Sequence, residues 1–187
     1  MIFFPGIWWL FPAISLTYIL LSWFLTRSGK LQNTAVRKIF VSTGAMLGFF
    51  TFALPIFEQP VFKLHLVQLG LGIPLLVAGF LGRIYPMIYL RKKGTTTTLN
   101  KVHKLVDTGP YAWVRHPQYI AGMVMLLAWF LVWGSLYALC VLPLMAAFIY
   151  AQAYIEEKYI LEKMFGETYA AYRKRVGMLL PRMRPDR

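Results

Sequence analysis

Apolar residues in this chain come in long unbroken runs, not in the short alternations that line a soluble core. The first run extends from about Gly6 to Leu25 and closes at Arg27 and Lys30. A second, about Ile39 to Phe57, follows Arg37 and Lys38, and a third, about Leu64 to Leu90, ends in Arg91, Lys92 and Lys93. A polar stretch, GTTTTLNKVHKLVDTGPYAWVRHP, then leads into a continuous apolar stretch from about Tyr119 to Tyr154. Trp133-Gly134-Ser135 interrupts that stretch near its middle, which predicts two helices folded back as a tight hairpin. From Ile155 onward the tail is charged and helical in pattern. A membrane-crossing helix takes about 20 residues. The pattern therefore predicts an all-α, polytopic membrane protein with about five transmembrane helices.

Composition agrees with the pattern. The 187 residues are 58% hydrophobic and 14% charged, against about 45–50% and about 25% for a soluble domain. The opening MIFFPGIWWLFP has no basic region and no small-x-small cleavage site, so it reads as a first span and not as a removable signal peptide. The formal net charge of +13 would suggest nucleic acid in a soluble protein. Here the basic residues lie between apolar runs, where they act as topology signals and contacts to anionic lipid. The bilayer is the expected partner, and nucleic acid is not. The one cysteine, Cys140, allows no internal disulfide and is expected to be a small buried hydrophobe. No metal-ligand spacing is present in the sequence, so no metal site is expected.

Charge also sets orientation. The segments 27–38, 91–115 and 158–187 carry four, six and eight Lys/Arg residues; adding Arg83 gives 19 of the 20, and only Lys63 is left over. The positive-inside rule places these segments in the cytoplasm, with the N-terminus outside and the C-terminus inside, an alternation that five spans satisfy. The plasma (inner) membrane is the expected location. Arg83 falls within the third apolar run. It either snorkels to the interface or meets an anionic group at the cytoplasmic mouth.

Three blocks on that side carry candidate chemistry. The first is Lys104-Leu105-Val106-Asp107-Thr108-Gly109-Pro110-Tyr111, whose Gly-Pro marks a turn after a short extended or helical entry. The second is Arg115-His116-Pro117-Gln118-Tyr119; Pro117 suits the first turn of the fourth span and puts Arg115 and His116 at its N-terminus. The third is Glu156-Glu157, followed by Phe165-Gly166-Glu167, Tyr169, Tyr172 and Leu179-Leu180-Pro181. The hairpin brings 115–119 beside 154–157. A cationic, aromatic cluster then meets a carboxylate pair at the bilayer surface. Each residue has an ordinary structural reading, but together they suit a zwitterionic ligand bearing a sulfonium. Carboxylates take an ammonium group or ribose hydroxyls, arginine takes a carboxylate, and aromatic faces take the sulfonium.

KLVDTGPYAWVRHPQY, then EE, FGETYAAYRKRV and LLP, resembles the isoprenylcysteine carboxyl methyltransferases and their relatives, including membrane phospholipid N-methyltransferases. The resemblance covers roughly residues 100–181. The first three spans, read from the apolar runs as an N-terminal membrane region (1–93), match the family only in being hydrophobic; the resemblance implies a catalytic region (94–187) whose hairpin, cytoplasmic loop and C-terminal helix form a cofactor pocket. It implies S-adenosylmethionine as cofactor and a lipophilic methyl acceptor entering from the bilayer. Lys104, Leu105, Val106 and Tyr111 would contact the cofactor. His116, Pro117 and Tyr119 would line its pocket, and Glu156 and Glu157 would hold its polar end. Leu180 and Pro181 would help to close a lid. Arg115, His116 and Glu157 are the candidate catalytic residues. The prenylcysteine enzymes carry an arginine shortly before the glutamates, where this chain has Ala153, so prenylcysteine is one acceptor among several. Two other readings stand beside this one. One is an NADPH-dependent lipid or sterol reductase, for which Arg91, Lys92 and Lys93 could take the extra phosphate. The other is a non-catalytic membrane subunit.

Overall fold

The computed structural model describes residues 7–95 and 104–182. The Thr-rich stretch beyond Thr95 and the first six residues lie outside them. In chain order the helices are α1 (Ile7–Arg27), α2 (Thr34–Phe50), α3 (His65–Val67), α4 (Ile73–Lys92), α5 (Pro117–Trp133), α6 (Leu136–Glu156) and α7 (Glu162–Arg175). A π turn, Gln68–Gly72, joins α3 to α4, and a second, Glu157–Leu161, joins α6 to α7. Among the described residues the only extended pairing is two isolated bridges, Val61 with Ser135 and Val114 with Gly177.

The chain is an all-helical membrane protein. Three helices are long and apolar enough to cross a membrane, Thr34–Ile56, His65–Lys92 and Leu136–Arg175. Ala13–Arg27 and Pro117–Trp133 are apolar but shorter. Large apolar side chains face outward along these helices, with Leu66 86%, Phe49 75% and Ile39 69% exposed. In water that surface would be unstable; against lipid it is the expected one. Cys140 is exposed on α6. The expectation that it is buried in the protein is corrected, because in a membrane protein an apolar run does not distinguish lipid-facing from core-facing positions.

Local chemistry explains the boundaries. The Asn33 side chain accepts hydrogen bonds from the backbone N–H groups of Ala35 (2.9 Å) and Val36 (3.3 Å), capping α2. The second span was expected to run regularly to about Phe57. Instead α2 ends at Phe50 and tightens into a 3-10 segment, Thr51–Ile56, that contains Pro55, which has no N–H to continue an α ladder. At the hairpin, Gly134 adopts a left-handed φ of 64°. A Cβ there would fall 2.3 Å from the Phe62 carbonyl oxygen, so no other residue fits that turn.

α4 and α5 approach backbone to backbone because glycines face the seam. A Cβ on Gly79 would lie 2.7 Å from the Met125 backbone nitrogen, and one on Gly72 would lie 2.9 Å from Val132. Gly70, two residues before Gly72, takes no part in this seam and meets only Leu66 of its own helical run, at 3.6 Å. One core cluster joins Tyr18 and Phe40 from the first half of the chain to Leu126, Phe130 and Phe148 from the second. Within it the Tyr18 hydroxyl donates to the Phe40 carbonyl (2.7 Å) and accepts from Gln152 Nε2 (2.5 Å). Both polar groups are thereby satisfied away from water.

The element ends collect at two poles. At one, the Phe62 backbone N–H donates to the Gly134 carbonyl, and Trp129 Nε1 donates to the Phe52 carbonyl. At the other, the Tyr159 hydroxyl donates to the Thr26 carbonyl and Tyr89 donates to Thr108. The described parts of the three Lys/Arg-rich segments belong to this second pole.

Candidate active site

At the basic pole a cavity opens between the end of α4, the loop before α5 and α7. Its lining includes Leu90, Thr95, Lys104, Leu105, Val106, Tyr111, Arg115, His116, Pro117, Gln118, Tyr119, Glu156, Leu161, Phe165, Tyr169 and Tyr172. Its atom-free space, open mouth included, is about 790 Å³.

Pro117 occupies the first helical position of α5, and His116 caps it. The His116 ring stacks on Tyr119, with centroids 5.2 Å apart and planes 14° from parallel. Tyr119 donates to Glu156 Oε2 at 2.8 Å. His116 Nε2 lies 3.0 Å from Glu157 Oε1. An ionised carboxylate can only accept, so the Nε2 hydrogen donates there, and the Nδ1 side lies 3.8 Å from Glu156 Oε2.

Behind the cavity lies a buried ion pair. Arg115 donates from Nε to Glu157 Oε1 at 2.7 Å and from Nη2 to Oε2 at 2.8 Å. Its Nη1 donates to the carbonyls of Arg173 (3.1 Å) and Val176 (2.6 Å). Backbone bonds from the N–H groups of Arg115 and His116 to the carbonyls of Gly177 and Met178 add to the seam. The tail after α7 is thus pinned onto the start of α5.

The loop 104–112 is fixed from two sides. Its entry is irregular, and Gly109–Ala112 forms a 3-10 turn. Gly109 has φ 61°, and a Cβ there would meet the Tyr89 ring at 2.5 Å. The Tyr172 hydroxyl donates to the Tyr111 carbonyl at 2.6 Å. Burial pushes the Tyr111 phenol well above its usual range; a hydrogen bond from Gln118 works against this, and the charge of Glu156 adds to it. The kink at Gly166, φ 50°, turns α7 so that Phe165, Tyr169 and Tyr172 face the cavity. Tyr169 is 1% exposed, and its hydroxyl has no hydrogen-bond partner among the described residues.

Of the sequence-derived site residues, Lys104, Leu105, Val106, Tyr111, Arg115, His116, Pro117, Tyr119 and Glu156 come together in the lining. Glu157 stands one layer behind, against Arg115 and His116. Leu180 is 80% exposed, and neither it nor Pro181 belongs to the lining. Leu90, Thr95, Gln118, Leu161, Phe165, Tyr169 and Tyr172 line the cavity in addition. The two tyrosines, spaced i, i+3 on one helical face with Phe165 one turn earlier, form an aromatic stripe that the sequence displayed. Nothing in the sequence marks Leu90 or Leu161 apart from other apolar residues. Among the described residues no group of side chains could hold a metal ion.

The sequence profile of the phospholipid methyltransferase family matches residues 67–168, just over half the chain. A Schizosaccharomyces pombe protein, Protein-S-isoprenylcysteine O-methyltransferase, is 33% identical over 82 residues, covering 44% of this chain and 35% of that protein. The match therefore spans about a third of the relative's length.

Proposed function

Because the chain belongs to the phospholipid methyltransferase family, we propose that it is an integral membrane methyltransferase using S-adenosylmethionine on a lipophilic acceptor. An isoprenylcysteine carboxylate, a phospholipid or another small lipophilic molecule would serve. The observation that carries the reading is the cavity, where Glu156, Lys104 and a set of aromatic side chains converge. Opposite charges fit a zwitterionic donor. Aromatic faces at Tyr111, Tyr119, Phe165 and Tyr172 fit its cationic sulfonium. Glu156 would hold an ammonium group or ribose hydroxyls, and Leu105 and Val106 would contribute backbone and apolar contacts. Leu180 and Pro181 would fold over the ligand as a lid.

The cofactor would supply an electrophilic methyl group for in-line displacement by the acceptor. The chain's part is placement, and a near-attack geometry is worth up to about 7–11 kcal/mol. His116, oriented by Glu157, lines the place where an acceptor proton would be lost. It would serve an amine acceptor and be dispensable for a carboxylate. Residues 94–187 would carry catalysis and 1–93 the lipid-facing frame. Lys/Arg asymmetry supports five spans with the N-terminus outside and the cavity facing the cytoplasm; the plasma (inner) membrane is the proposed location.

Calorimetric titration of the nanodisc-embedded protein with S-adenosylmethionine and with NADPH tests this. The first should bind, with affinity lost in Glu156→Ala and His116→Ala while both variants stay folded. Binding of NADPH alone, or unchanged affinity in both variants, would overturn the reading.

A further inference from the structure

Among the described residues Arg83 is the cation set furthest from the ends of an apolar helix, in the middle of α4. It lies nine residues before Lys92 on α4, about 14 Å of helix rise from that end. Its side chain is exposed on the surface that faces lipid. Among the described residues no carboxylate lies within ion-pair distance of it. Its hydrogen bond is a long one, from Nη1 to the Gln118 carbonyl at 3.5 Å.

The direction of that contact is informative. Gln118 lines the cavity. Gly122, one turn further into the membrane on α5, leaves the space the guanidinium occupies: a Cβ there would meet Arg83 Nη1 at 3.1 Å. The side chain is therefore laid across α5 toward the membrane side of the cavity. Its charge also acts on the Tyr119 phenol, which bonds Glu156. The other arginines near the site are engaged: Arg115 with Glu157, Arg173 with Glu162 and Arg175 with Asp107. Neither α5 nor α6 carries a lysine or arginine. Arg83 presents most of a planar, five-donor fork at the point where the lipid phase meets the cavity wall.

We propose that Arg83 recognises an anionic group on the methyl acceptor, so that the acceptor is an acidic amphiphile entering between α4 and α5 from the bilayer. This rests on the methyltransferase reading for the word acceptor; the anion site itself does not. A carboxylate and a phosphate monoester share the chemistry that the guanidinium fork recognises.

The test uses the full chain in zwitterionic nanodiscs, as wild type, Arg83→Gln and Arg83→Lys. Competition binding is measured for S-farnesylcysteine, its uncharged-carboxyl methyl ester and dodecyl phosphate, alongside the dissociation constant for S-adenosylmethionine. The wild type should hold the free carboxylate, the phosphate or both at least tenfold tighter than the ester. Arg83→Gln should erase that preference and Arg83→Lys should keep part of it, with cofactor affinity within twofold throughout. A larger gain for the phosphate assigns a phosphorylated headgroup, and a larger gain for the carboxylate assigns a carboxylic acid. A preference that survives Arg83→Gln, or no preference in the wild type, overturns the proposal and leaves Arg83 a snorkelling anchor. Absent cofactor binding with the anion preference intact would sink the methyltransferase reading and leave the Arg83 site standing.

Discussion

Glu157→Gln isolates what the buried ion pair contributes. Arg115 is 8% and Glu157 2% exposed, so neither charge is well served by water if the other is lost. The amide keeps one acceptor oxygen but replaces the second with an NH₂ group facing the Arg115 fork, two sets of donors with nothing between them. Removing one partner of a buried pair costs about 3–5 kcal/mol, much of it the price of the stranded charge. The retained oxygen places Glu157→Gln near the lower end, at about 3 kcal/mol. In a chain of this size one kcal/mol moves the midpoint by roughly 2–4 °C, so the melting temperature should fall by about 6–12 °C.

The assay follows tryptophan fluorescence on heating, in nanodiscs, with limited trypsin digestion in parallel. Arg115 also holds the carbonyls of Arg173 and Val176. Loss of its orientation should therefore expose the tail, and cleavage after Lys174 and Arg175 should accelerate before global unfolding. The double variant Arg115→Met, Glu157→Leu removes both charges and should recover most of the midpoint, because no charge remains stranded. It should not recover tail protection, since the two carbonyls lose their donor. A Glu157→Gln midpoint within 2 °C of wild type, with unchanged tail cleavage, would refute the claim that this pair pins the tail.

Two further outcomes follow from packing and burial. Gly79→Ala should lower stability by about 1–3 kcal/mol through overpacking against the Met125 backbone, whereas Gly48→Ala, with nothing within 4 Å, should be neutral or slightly stabilising in the same thermal assay. Tyr111 titrates above its unfolded value because burial disfavours the phenolate; its contribution is fully present below about pH 10 and is lost as pH rises beyond it, so a Tyr111→Phe variant should show a flatter fall in melting temperature across that alkaline range than wild type.

The sequence displayed the fold class and most of the cavity for the same reason. Apolar runs and Lys/Arg clusters are one-dimensional signals, and the cavity lies where those runs end. The turn at Gly134, the start of α5 at Pro117 and the meeting of 115–119 with 156 were legible from breakers and the hairpin, whereas the place of 104–111 followed from the family resemblance. The division of labour between two adjacent glutamates was not. Glu156 faces the cavity and Glu157 faces Arg115, a difference of about 100° around a helix whose phase is set by the π turn at Glu157–Leu161. Nor could the sequence show that Cys140 faces outward, since lipid and core accept the same side chains.

The position of Arg115 changes the charge inventory of the site. From the sequence it suited a ligand carboxylate, but its donors go to Glu157 and to the Arg173 and Val176 carbonyls. With that pair closed on itself, Lys104 and Glu156 are, among the described residues, the cation and the anion left in the lining. Lys104 stands at the irregular entry of the loop 104–112. That loop is held by the Tyr172 bond to the Tyr111 carbonyl and by Arg175 to Asp107, and both donors lie on α7. The exposed Arg175 pair is worth little by itself, so on this side the loop is held chiefly by Tyr172 of α7, while Tyr89 of α4 holds it at Thr108. Arg115 and Glu157 fix where α7 is docked. They would act on a bound ligand partly by setting where Lys104 stands relative to Glu156, with Arg115 itself in the cavity lining.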